Sequence, residues 1–150
     1  MTVARTSFWE NELLNQNYDL VVIGAGLTGL SSALFFKKNN PKARVLVVER
    51  GQLPIGASTR NAGFSCIGSV GELLTDLEIE SKEKVLKRVE DRYEGLMLLR
   101  ATLGESSIDY ESCGGWEIFT NLKKFDQAKS KVTELNSQLA NVLDELDVFK

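Results

Sequence analysis

The feature that most restricts this chain is Gly24-Ala25-Gly26-Leu27-Thr28-Gly29, set between a short apolar run and a helical pattern. Before it, Tyr18-Asp19-Leu20-Val21-Val22-Ile23 is β-branched and nearly continuous in apolar residues, the pattern of a strand buried on both faces of a parallel sheet. After it, apolar residues recur at Leu30, Ala33, Leu34 and Phe36, which predicts a helix from Leu27 to about Asn39, stopped by Asn39-Asn40-Pro41. Arg44 to Glu49 reads as a second buried strand. Strand, helix and strand then form one crossover unit with parallel strands, right-handed by the general rule for such connections.

Each part of this unit has a physical task. Gly24 permits the tight turn out of the strand, Gly26 lets backbone approach a pyrophosphate with no Cβ in the way, and Gly29 lets the helix lie close on the sheet. Leu27 and Thr28 open the helix, whose free N–H groups and positive dipole end face a diphosphate. Glu49, at the end of the second strand, can accept hydrogen bonds from ribose hydroxyls, and its charge repels a 2′-phosphate, which disfavours NADP. The plainer reading, glycines serving helix–strand packing alone, leaves the helix, second strand and terminal carboxylate in register for no reason. Dinucleotide binding is therefore the expectation. NAD and FAD both use such a unit, so the choice between them rests on the residues beyond Glu49.

Composition removes other classes. The 150 residues are 43% hydrophobic and 26% charged, in the range of an ordinary globular chain. The net charge is −3, with cations scattered among acidic residues, so no basic stripe for nucleic acid is present. Residues 1–17 form a polar arm without the apolar core of a secretory signal. Leu20 to Phe36 is interrupted by glycine, serine and threonine, so it does not match the unbroken apolar span of about 20 residues that crosses a bilayer. A cytoplasmic protein is expected. Cys66 and Cys113 match no metal spacing and are expected to be reduced and buried. The absence of histidine removes Ser-His-Asp and Cys-His catalysis, and flavin attachment through histidine, from this stretch.

Gly51 to Gly71 has no regular period and reads as a long loop of the kind that is usually functional. A short helical turn is expected at Leu73 to Leu77. Ser81 is expected to cap a longer helix with Val85, Val89, Leu96, Leu99 and Leu103 on its apolar stripe, ended by Gly104. Ile108 to Glu111 and Trp116 to Thr120 read as two short strands around Cys113-Gly114-Gly115. A last helix carries Leu122, Phe125, Ala128, Val132, Leu135, Leu139 and Val142 on one seam, to pack on a neighbouring sheet or helix. Residues Leu146 to Lys150 read as the start of another element.

Glu49-Arg50, followed by Gly56-Ala57-Ser58-Thr59-Arg60-Asn61-Ala62-Gly63-Phe64, resembles the second cofactor loop of the FAD-dependent D-amino-acid oxidase family, which includes glycine and sarcosine oxidases. Leu30 and Ala33 after the third glycine fit the same family, and Tyr110 to Phe119 is loosely similar to the strand pair with which it enters its substrate domain. The resemblance covers Asp19 to Thr120 and is strongest from Asp19 to Phe64. It implies FAD as cofactor, with the loop wrapping the pyrophosphate and nearing the isoalloxazine ring. The residues themselves agree: Ser58 and Thr59 bring hydroxyls, Arg60 a cation, Asn61 an amide, and Ala62 and Gly63 unhindered backbone.

The fold expected is α/β: a Rossmann-like FAD-binding domain with a parallel sheet, followed by the start of an α+β substrate domain. Residues 1–17 would be an arm, 18–105 the N-terminal half of the FAD domain, and 106–150 the beginning of the substrate domain. The resemblance implies an oxidoreductase taking a hydride from a carbon next to an amine nitrogen of a small amino-acid or amine substrate. Members of the family are more than twice as long, so this chain reads as an N-terminal portion, inactive alone, with no residue assignable as catalytic. Two other readings stay open: a non-catalytic nucleotide-binding module, favoured by the seam from Leu122 to Val142, and an NAD-dependent dehydrogenase domain, disfavoured by the long loop after Glu49.

Overall fold

Alternating backbone sterics and β-branched side chains make Leu20–Ile23 (β1) and Val45–Val48 (β2) strands, and they pair in parallel with Leu20 opposite Val45 and Ile23 opposite Val48. A computed structural model of the protein describes residues 7–143 and 148–150. The described chain divides into two compact units, one ending at Phe64 and one beginning at Ser65.

In the first unit, helix α1 (Phe8–Leu14) lies within the expected arm. Ser7 Oγ accepts from the Glu10 amide and the Glu10 carboxylate accepts from the Ser7 amide, a reciprocal cap that turns a polar segment into a helix start. Helix α2 (Leu27–Asn39) follows β1 and lies on the strand pair, with Ala33 buried. Its ends coincide with those expected from periodicity. The Asp19 carboxylate accepts from the Arg44 amide at 2.7 Å, and the Gly24 amide donates to the Val48 carbonyl at 2.7 Å, so the ladder is extended at both ends.

One expectation is corrected here. β1 is not buried on both faces: Leu20 and Val22 are half-covered on the α2 side, while Val21 and Ile23 are 51% and 89% exposed. A parallel strand becomes fully buried only when helices cover both faces, and among the described residues one face of this sheet stays open.

In the second unit, helix α3 (Val70–Ile79) is longer than the short turn expected at 73–77, because Ser69 Oγ caps it by accepting from the Glu72 amide. Helix α4 (Lys82–Leu103) ends at Gly104 as expected, although the Ser81 hydroxyl makes no capping bond. Helix α5 (Leu122–Leu139) packs on α3. Leu73, Val85, Val89, Leu139 and Leu143 form one buried cluster, and Val70, Ala128 and Leu135 a second. The seam of α5 is thus core from Ala128 onward, while Leu122 and Phe125 at its start are exposed.

Three further expectations are corrected. The segments 108–111 and 116–120 form no strands: a 3-10 turn at Glu105–Ser107 leads into irregular chain, and Trp116 and Ile118 are 97% and 87% exposed. A lone two-stranded hairpin is marginal without further strands or a covering helix. Instead, the Glu117 carboxylate accepts from the Gly71 amide at 2.9 Å and ties this segment to the start of α3. Both cysteines are free but exposed, since each lies in a stretch outside the helices that supply the core. The element expected at 146–150 falls partly on residues outside the described ones.

Candidate nucleotide site

The site is built where β1 turns into α2. Gly24 adopts φ +100°, a left-handed conformation that L side chains rarely take, and this swings the chain from strand to helix. A Cβ on Gly29 would collide with the Gly24 carbonyl oxygen and come within 3.2 Å of Val22 Cγ1, so the helix can lie this close to its own strand only as glycine. Gly26 caps α2 with no side chain of its own.

Second-loop residues complete the mouth. The Leu27 amide, free at the helix start, donates to Ser58 Oγ at 3.0 Å across 31 residues of sequence. A Cβ at Gly26 would lie 3.1 Å from that hydroxyl, so the Ser58 side chain would have to shift by a few tenths of an ångström to make room for it. A 3-10 turn at Ala57–Thr59 carries Ser58 to this position. Thr59 Oγ1 donates to the Pro54 carbonyl at 2.8 Å and the Gly56 carbonyl at 3.2 Å, which closes the turn from below.

Glu49 faces the same mouth. One carboxylate oxygen accepts from the Ala25 amide at 2.9 Å and the other from the Gly51 amide at 3.2 Å. Those two amides, Ala25 first, hold its carboxyl below the ordinary carboxylate range, with a smaller contribution from the Arg50 charge. Each carboxylate oxygen keeps a further lone-pair direction, so hydroxyl donors can be added without breaking these bonds.

Among the expected site residues, the structure thus gathers Gly24, Gly26, Leu27 and Gly29 with Glu49 and Ser58. Thr28 lies in the first turn of α2, and its carbonyl accepts from Ser32 Oγ. Asn61 is turned inward on its own loop: its Nδ2 donates to the Ala57 and Ser58 carbonyls at 3.2 and 3.1 Å, and its Oδ1 accepts from the Gly63 amide at 2.8 Å. The Arg60 side chain makes no hydrogen bond or ion pair among the described residues. Arg50, Ala57, Ala62 and Gly63 contribute exposed chain to the same stretch. Sequence reasoning missed the Gly51 amide, although Glu49-Arg50-Gly51 carried the signal: a side-chain acceptor two residues ahead of an unhindered N–H.

The donor set suits FAD. A turn that tolerates no Cβ at Gly29, amides at a helix start and a carboxylate at the strand end are what a diphosphate and its ribose require. With the parallel strand pair, this defines an FAD-binding, Rossmann-like class of protein. The family profile described as FAD dependent oxidoreductase matches residues 19–147, and the chain belongs to that family, whose cofactor is FAD.

Two curated relatives show the range of the family. The chain is 27% identical over 111 residues to L-2-hydroxyglutarate dehydrogenase, mitochondrial, of Dictyostelium discoideum, a match covering 73% of this chain and 22% of that protein. It is 38% identical over 53 residues to sarcosine oxidase subunit beta of an Arthrobacter species, covering 35% of this chain and 13% of that protein. The chain therefore matches less than a quarter of the length of either relative. No solved structure matches it significantly. No helix among the described residues is long and apolar enough to cross a membrane.

Proposed function

We propose that residues 24–63 hold the diphosphate and adjoining ribose of FAD in an oxidoreductase that oxidises a carbon–nitrogen bond of an amino acid or secondary amine. The observation that carries the cofactor part of this reading is the meeting of Glu49 with the glycine turn, the Ala25 amide lying 2.9 Å from its carboxylate, beside a loop docked on α2 through Ser58, while the amine substrate is supported by the likeness to a sarcosine oxidase subunit. In it, the N–H groups at the start of α2 and the Arg60 guanidinium neutralise phosphate charge, and Glu49 accepts from the ribose hydroxyls. FAD, when bound, supplies the hydride acceptor. The chain's own part is to bind and orient it, with residues 18–105 as the N-terminal half of the FAD domain and 106–150 as the beginning of the substrate domain. A cytoplasmic location belongs to the same proposal; one relative is named as mitochondrial, and fractionation of expressing cells decides between the two.

A second substrate reading, a 2-hydroxy acid, is favoured by the match over 111 residues to a 2-hydroxyglutarate dehydrogenase. The visible spectrum of the purified chain tests the cofactor: bands near roughly 375 and 450 nm are expected of bound flavin, and a colourless protein that binds NADH instead overturns the proposal. Anaerobic bleaching of that flavin in the longest expressible form of the protein, by amines but not by 2-hydroxy acids, supports the amine reading; the opposite pattern replaces it.

A further inference from the structure

We propose that Asn61 is a positioning residue for the diphosphate: it shapes residues 57–63 so that Arg60 is presented to the anion, rather than touching the cofactor itself. This rests on the reading of residues 24–63 as the FAD site. All three hydrogen-bonding groups of the Asn61 side chain are used inside the loop. Its two N–H donors serve the Ala57 and Ser58 carbonyls, at 3.2 and 3.1 Å, and its carbonyl accepts from the Gly63 amide at 2.8 Å. One side chain thereby ties the end of the 3-10 turn to the glycine that follows it.

The choice of residue is chemically narrow. Aspartate offers no donors and would set a negative charge against two carbonyl oxygens; glutamine is a methylene longer; serine has one donor. Asparagine alone combines two donors with an acceptor at this reach. The turn so fixed is the one that places Ser58 Oγ 3.0 Å from the Leu27 amide, at the start of α2. Arg60 lies between Ser58 and Asn61 in the chain, and its guanidinium has no partner among the described residues. A cation carried on a loop fixed at both sides loses little freedom when it meets phosphate. On a loosened loop, the same charge is present but dispersed.

Salt dependence separates positioning from folding. FAD is titrated into wild type, Arg60→Gln, Asn61→Ala and the double variant at low and high salt, following flavin fluorescence, with circular dichroism and thermal melting as controls for the fold. Arg60→Gln is expected to weaken FAD about tenfold at low salt and to flatten the salt dependence. Asn61→Ala is expected to do the same although Arg60 remains, and the double variant to be about as weak as either single one, because both act through one interaction. Asn61→Asp, which keeps the acceptor, is expected to bind as weakly as Asn61→Ala. Unchanged affinity in Asn61→Ala, or a roughly hundredfold additive loss in the double variant, overturns the inference while leaving the FAD site standing. A wild-type chain that fails to quench flavin overturns the FAD reading and this inference with it.

Discussion

Among the described residues, the first unit holds one buried hydrophobic side chain, Ala33, whereas the second holds eight, from Val70 to Leu143. The first unit keeps its shape through backbone pairing and long-range bonds from side chains to amides: Asp19 to Arg44, Glu49 to Ala25, Ser58 to Leu27. The second keeps its shape by apolar burial between α3, α4 and α5, trimmed by ion pairs such as Arg88 with Asp76 and Glu80. The contrast teaches that a turn set by glycines and amide bonds holds its shape with little apolar burial. Its geometry comes from glycines and hydrogen bonds, and volume matters less there than position.

That contrast can be broken by substitutions with opposite sensitivities. The largest effect is expected from Gly29→Val, whose side chain cannot coexist with the Gly24 carbonyl and Val22 at their present distances. FAD binding should be lost entirely in a fluorescence titration while the helices of the second unit keep their slow amide exchange; retained binding would show that α2 does not need its close seat on β1.

Leu139→Ala comes next. Leu139 is fully buried, and truncation of such a side chain costs about 2–5 kcal/mol through lost transfer energy and a cavity. Urea unfolding monitored by helix signal should show that loss, with FAD affinity unchanged under native conditions. A smaller stability loss is expected from Asn136→Leu. This buried amide donates to the Phe149 carbonyl at 2.8 Å and accepts from the Phe149 amide at 3.0 Å, pinning the end of the chain to α5. Removing both bonds should cost about 1–3 kcal/mol in the same assay, and an unchanged midpoint would show that the pin contributes nothing.

Glu49 sharpens the comparison through pH. Its folded pKa is depressed, so its contribution is complete above the ordinary glutamate value of 4.5 and is lost as pH falls through the lower folded value. FAD affinity of the wild type should therefore decline in acid below that point, whereas Glu49→Gln should bind roughly tenfold more weakly at neutral pH and lack that step. A Gln variant with wild-type affinity would remove Glu49 from the ribose. The smallest effect is expected at Lys87, whose pairs with Glu90 and Asp91 are solvent-exposed: Lys87→Ala should leave the melting temperature of the second unit unchanged within error.

Legibility in the sequence tracked the range of each interaction. The α2 boundaries, the glycine turn and the end of α4 at Gly104 could be read directly, because helix periodicity and left-handed glycine are properties of a few neighbouring residues. The seam of α5 was also readable, but its polar member was not: Asn136 looks like a solvated residue until Phe149 returns to it. The strands expected at 108–111 and 116–120 failed for a related reason. Their apolar content was correct for strands, but a strand exists only with a partner, and Glu117 is held instead at the start of α3.

The amino-acid sequence alone determined the crossover of β1, α2 and β2, the glycine turn that joins β1 to α2, and a carboxylate at the strand end, since local sterics and side-chain period dictate them. Only the tertiary structure decided that Ser58 would reach the Leu27 amide, that Glu49 would be shared between Ala25 and Gly51, and that Asn61 would be spent within its own loop. The first two depend on where a 3-10 turn and a strand end come to rest against α2, the third on how that loop closes, and propensity carries no information about such meetings.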